Sequence, residues 1–302
     1  MLYSAGSAFS IPAMPNLDTL RAKHPEIRPD FTIDQHWERY GAAEHGVWKT
    51  LFDRQAKVLP GRACDEFLQG LDKLDLVADR IPDFARLSDG LQKLTGWRVV
   101  AVPSLVPDEI FFDHLANRRF PAGQFIRRPD QLDYIEEPDV FHDVFGHVPM
   151  LAHPVFADYM EAYGKGGVRA LNEFSALKNL ARLYWYTVEF GLIQGRDGLR
   201  IYGSGIVSSR AETVYAVESP SPNRIAFDLE RVMRTEYRID DFQESYFVID
   251  SFDALFQETY KDFAALYTKL QSGPTHKPGD ILQADRLHTR GTHTYVGGTH
   301  AA

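Results

Sequence analysis

His142, His147 and Glu189 are the side chains whose types and settings most suggest chemistry. The two histidines stand five positions apart in EEPDVFHDVFGHVPM, residues 136–150. Five residues of a regular helix turn through about 140°. The pair therefore shares a face only if the helix bends between them, and Gly146, followed by Pro149, offers such a break. Taken alone, the pair is a weak signal, and one packed and one exposed histidine is its more ordinary meaning. Glu189 lies in LYWYTVEFGLI, eleven residues with no other charge. Burying a carboxylate there is costly unless it meets a cation, a metal or several donors. An Arg or Lys from elsewhere in the chain would be its ordinary partner. Two imidazoles and one carboxylate also form the facial triad of non-haem Fe(II) oxygenases, which leaves positions open for oxygen and substrate. The same donors suit a zinc-dependent hydrolase, although the HEXXH spacing is absent. A metal that only stabilises the fold is a third reading.

Such residues must be held by helices, because the periodicity is mainly helical. From Thr32 towards Leu94, apolar residues such as Trp37, Tyr40, Trp48, Leu51 and Val58 recur at three- and four-residue steps. A second amphipathic segment covers Cys64–Leu74, and a third runs from Ile81-Pro82 to Gly96. WRVVAVP predicts a short strand closed by Pro103. Pro138, behind two acids, predicts a helix start, and Pro149 its end. Leu171–Ile193 reads as one long buried helix. RIYGSGIVSS reads as a strand and turn, SYFVIDSF as a further strand, and Phe252–Leu270 as helix. The expected fold is mainly α with a few short strands. Residues 1–31 form an irregular arm, 32–270 a single catalytic domain, and 271–302 a polar, mobile tail.

The composition excludes several classes. The chain has 302 residues, 44% of them hydrophobic, which is enough for a sizeable core. The 13% aromatic content suits a pocket for a flat ligand. A net charge of −9 disfavours nucleic acid as a partner. Cys64 is the only cysteine, so there is neither a disulfide framework nor a cysteine-based zinc site. The first residues, MLYSAGSAFSIPAMP, lack the pattern of a signal peptide. No stretch approaches the roughly 18 apolar residues of a membrane span. A cytoplasmic protein with no membrane partner is expected.

PDVFHDVFGHVP, YWYTVEFGL and IYGSGIVSS, in that order and at those separations, resemble the pterin-dependent aromatic amino acid hydroxylases. The likeness runs from about Thr95 to Leu266 and lies nearest the bacterial branch that acts on phenylalanine. It implies that His142, His147 and Glu189 bind Fe(II) and form the catalytic centre. It also implies a tetrahydropterin (tetrahydrobiopterin or a relative), O2 as co-substrate, and conversion of L-phenylalanine to L-tyrosine, the reaction that opens phenylalanine catabolism. Tyrosine or tryptophan hydroxylation is the alternative within the family. Arg127 matches the arginine that grips the substrate carboxylate. Pro138, Trp185 and Phe190 match walls of the ring pocket, and Ser208 and Glu212 a pair near iron and substrate. Phe111, with Val106 beside it, matches the aromatic that stacks on the pterin. Asp143 stands where many relatives have Glu, and Ile135 where animal relatives have Thr. Ile239 matches a position that is apolar in phenylalanine enzymes and Asp in tyrosine enzymes. With no regulatory domain or tetramerisation helix recognisable, a monomer is expected.

Overall fold

Trp48, Leu51 and Gln55 form a stripe along the helix Ala42–Val58, and that stripe is the face it buries. The computed structural model describes residues 20, 22, 24–133, 135, 137–174 and 176–296. The helices Asp65–Lys73 and Phe84–Thr95 follow the expected amphipathic segments. Asp83 caps the second by accepting from the Ala85 N–H at 2.9 Å. Gly96, at φ 78°, ends it in the left-handed conformation that favours glycine.

Strand β1, Arg98–Val102, pairs in parallel with β2, Arg119–Gly123. A parallel pair needs a crossover, and the helix Asp108–Ala116 supplies it. The remaining strands are β3 (Leu192–Gly195), β4 (Gly198–Ile201), β5 (Asn223–Ala226), β6 (Ser245–Ile249) and β7 (Leu287–Thr289). They form one mixed sheet in the order β4-β3-β6-β5-β7. β3 and β4 make an antiparallel hairpin, β6 runs parallel to both β3 and β5, and β7 closes the edge antiparallel to β5. A single hydrophobic core joins the helices to both sheets.

Four elements differ from the sequence expectation. The helix at the histidine motif begins after Val140 instead of at Pro138, and it does not stop at Pro149. Pro149 falls in the first turn of Val148–Leu151, where a missing N–H costs nothing. Leu171–Ile193 is not one helix. It divides into π-wound Ala170–Phe174, α-helical Leu177–Tyr184, π-wound Trp185–Glu189, and then β3. An uninterrupted apolar run such as WYTVEFGLI does not distinguish buried helix from buried strand. Phe252–Leu270 comprises two helices, Phe252–Thr259 and Ala264–Leu270. RIYGSGIVSS leaves β4 and enters a single helical turn, Ser204–Val207.

The segment read as a polar tail contributes β7. It also supplies Asp285, which forms a buried ion pair with Arg231 at 2.9 Å. The irregular arm 1–31 lies mostly outside the described residues.

Candidate metal centre and its pocket

Both segments that carry the candidate ligands are wound as π-helix, Phe141–His147 and Trp185–Glu189. A π turn closes its hydrogen bonds five residues apart, so positions five apart lie one above the other. That winding resolves the spacing problem at His142 and His147. Gly146 does not break the helix as expected from the sequence. Instead it lets the turn Ser204–Val207 approach, since a Cβ there would stand 3.0 Å from the Ser204 carbonyl oxygen. Gly203 has the same use, as a Cβ would lie 2.5 Å from the Glu189 carbonyl oxygen. The glycines of YGSG thus seat Ser204 against Glu189.

The three ligand atoms converge. His142 Nε2 and His147 Nε2 are 3.2 Å apart. Glu189 Oε2 lies 3.6 Å from the first and Oε1 3.3 Å from the second. Burial pushes the His142 imidazole down to about 4, so it is neutral at neutral pH. Burial works to raise the Glu189 carboxyl, but the two imidazoles and the Ser204 hydroxyl beside it outweigh burial and hold it down to about 2. The Ser204 hydroxyl donates to Glu189 Oε2 at 2.8 Å, whereas the buried Oε1 accepts no hydrogen bond. Two imidazole nitrogens and an unsatisfied carboxylate oxygen facing one another are a donor set that could hold a cation. Two imidazoles and one carboxylate suit Fe(II).

Asp143 also brings a carboxylate oxygen within 4.8 Å of both imidazoles. Its Oδ2, however, accepts the Gly123 N–H at 2.8 Å, and burial lifts its carboxyl to about 6. The orphaned oxygen makes Glu189 the better third ligand.

Arg127 is buried close by, but its strongest partner is Asp139, which the sequence reading did not single out. Nε and NH2 bind the two Asp139 oxygens at 2.8 and 2.9 Å. Asp139 Oδ1 also accepts the His142 N–H at 3.0 Å. The fork leaves the two NH1 protons and one on NH2 for a second carboxylate. An acid one residue after Pro138 was the only signal for this partner.

Phe111 and Val106 line one narrow cleft, together with Phe120, Pro138, Asp143 and Tyr184. The cleft therefore borders the metal site through Asp143, and Pro138 stands with the two candidate pterin residues. Trp185 and Phe190 form a different wall. Trp185 packs on Phe190 at 4.7 Å and stacks on Tyr237 at 4.3 Å. Its indole N–H donates to Gln243 Oε1 at 2.9 Å. Gln243, buried and also unforeseen, donates its backbone N–H to Glu212 Oε1 at 3.4 Å, and Glu212 accepts the Tyr246 hydroxyl as well. Ser208 lies against His142.

A buried cluster of two histidines and a carboxylate beside aromatic pockets, in a mainly helical domain, matches the donor set of the non-haem Fe(II) oxygenases. The chain belongs to the biopterin-dependent aromatic amino acid hydroxylase family, whose model matches residues 22–272. It is similar to the phenylalanine-4-hydroxylase of Caulobacter vibrioides, at 65% identity over 90% of this chain and 92% of that one. It is also similar to that of Ralstonia nicotianae, at 61% identity over 88% and 85% of the two chains. Among solved structures it matches the iron- and phenylalanine-bound phenylalanine hydroxylase from Chromobacterium violaceum. That match has a TM-score of 0.84 at 55% identity and covers 90% of this chain and all of that one. Family membership decides against the zinc hydrolase. Among the described residues, no helix is long and apolar enough to cross a membrane.

Proposed function

We propose that this chain hydroxylates L-phenylalanine to L-tyrosine, with Fe(II) held by His142, His147 and Glu189. A tetrahydropterin, when bound, would supply the two electrons that the reduction of O2 needs beyond the oxygen atom delivered to the ring. The observation that carries the site assignment is the convergence of two imidazole nitrogens with a carboxylate oxygen that lacks a hydrogen bond. Phenylalanine as substrate is supported by the close relatives of that activity. Bound iron supplies the redox chemistry that activates oxygen.

The protein's residues position and protect. Arg127, oriented by Asp139, offers its remaining N–H edge to the substrate carboxylate. Trp185 and Phe190 hold the ring, and correct aim keeps oxidation productive. Phe111 and Val106, which share one cleft, would hold the pterin. The enzyme acts as a monomer in the cytoplasm.

The test is aerobic incubation with Fe(II), a tetrahydropterin and phenylalanine, with tyrosine measured by chromatography. His142→Ala, His147→Ala and Glu189→Ala should each lose both bound iron and turnover. Full iron content and activity in any one of them would refute that ligand.

A further inference from the structure

The family match ends at residue 272, yet residues 287–295 are bound to the substrate side of the molecule. After β7, Gly291 N–H donates to Asn223 Oδ1 at 2.9 Å. The Thr292 and His293 N–H groups donate to the carbonyls of Pro220 and Ser221 at 2.9 and 3.0 Å. A Cβ on Gly291 would stand 2.3 Å from the Ser221 carbonyl oxygen, so the strap lies tight against this turn. Tyr295 follows, half-buried, its N–H bonded to Ser221 Oγ at 2.9 Å.

The Tyr295 ring completes a cluster with Tyr215 at 5.3 Å and Phe242 at 5.2 Å, which stack on each other at 4.5 Å. Its hydroxyl donates to Asp241 Oδ1 at 3.0 Å, the oxygen that also accepts the Phe242 N–H at 2.8 Å. Gln243 is the next residue. Its side chain is held by the Arg238 carbonyl at 3.0 Å, and its Oε1 receives the Trp185 indole. Tyr215 lies one turn from Glu212 on the helix Arg210–Glu218. The outer face of the loop 237–243 thus meets the strap, while its inner face holds Trp185 and Glu212.

We propose that Tyr295 is a positioning residue for the amino-acid pocket, bracing Asp241 and Phe242 so that Gln243 fixes the Trp185 ring and the Glu212 carboxyl. The inference rests on Trp185 and Glu212 lining the substrate site. A buried side-chain amide bonded on both sides holds an indole plane only while its own backbone is held. Tyr295 contributes a ring contact to Phe242 and a hydrogen bond to the Asp241 carboxylate, which in turn accepts the Phe242 N–H.

The test compares the iron-loaded full chain with Tyr295→Ala and Tyr295→Phe. Hydrogen–deuterium exchange of residues 237–243 reports the brace, and calorimetric titration with phenylalanine reports the pocket. Tyr295→Ala should speed exchange in that loop. It should also weaken phenylalanine binding about threefold to tenfold, the scale of one aromatic contact. Bound iron and the KM for pterin should stay unchanged, and Tyr295→Phe, which keeps the ring, should recover most of the loss. Unchanged loop exchange would overturn the proposal, as would equal weakening of phenylalanine and pterin. Faster loop exchange in a protein whose wild type binds no phenylalanine would support the brace and overturn the substrate reading instead.

Discussion

Ser208 Oγ lies 3.0 Å from His142 Nδ1 and 2.7 Å from the Ser204 carbonyl oxygen, to which it donates its single proton. Towards His142 it can therefore only accept, so Nδ1 carries the hydrogen and Nε2 keeps its lone pair for the metal. Ser208→Ala should weaken metal binding by about tenfold to a hundredfold, as loss of an orienting partner does. Titration with Fe(II) or Co(II) measures this, and an unchanged affinity would remove Ser208 from the site.

The Arg127–Asp139 pair is buried and doubly bonded. Arg127→Met should raise the KM for the amino acid far more than that for pterin. Asp139→Ala should do this and destabilise the fold by about 3 kcal/mol or more, because it leaves a buried guanidinium unpaired. Urea melts and steady-state kinetics separate the two effects. Equal rises in both KM values would move Arg127 away from the substrate carboxylate.

The motifs His142–His147 and Glu189 were legible because each carries its chemistry in an unusual setting. Their geometry was not, since π winding leaves no trace in residue type and an α-helical projection puts His142 and His147 on different faces. Asp139 and Gln243 were missed for a related reason. Each acts by bonding a residue distant in sequence, Arg127 and Trp185 respectively, and neither stands out in its own segment. The strap was missed because Gly, Thr and His bury little. It is tied by backbone hydrogen bonds, which any residue type provides.

Phe111 is almost wholly enclosed by Phe112, Tyr184 and the cleft. Phe111→Ala should raise the pterin KM by roughly fivefold to tenfold, the scale of a lost ring contact of about 1 kcal/mol. The KM for the amino acid should change much less. A pterin KM that did not move would return Phe111 to simple packing.

Burial lifts the Glu212 carboxyl to about 7, against the donation it receives from Tyr246 and Gln243. The folded chain therefore holds this proton more tightly than the unfolded chain, whose value is near 4.5. This contribution to stability is fully present below about 4.5 and is lost as pH rises through about 7. The loss is at most about 3 kcal/mol. Glu212→Gln should abolish that slope, so its stability relative to wild type should rise between pH 5 and 8. Urea melts at the two pH values check this, and parallel profiles would mean that Glu212 stays ionised in the fold.

The choice of ring must be made away from Arg127, because phenylalanine, tyrosine and tryptophan present the same carboxylate. Ile239 lies in the loop between Tyr237, which stacks on Trp185, and Gln243, which bonds the same indole. It is half-buried against the core and offers nothing to a phenolic hydroxyl. An apolar wall turns away an added hydroxyl by only about a hundredfold, so the expected preference for phenylalanine over tyrosine is bounded by that figure. Ile239→Asp should lower kcat/KM for phenylalanine and narrow the gap to tyrosine, since a carboxylate there gives a phenol a partner at the cost of desolvation. Paired competition assays that resolve tyrosine, dihydroxyphenylalanine and 5-hydroxytryptophan measure both proteins in one experiment. A wild type that forms either dihydroxylated or indole product faster than tyrosine would overturn the substrate assignment while leaving the metal centre intact.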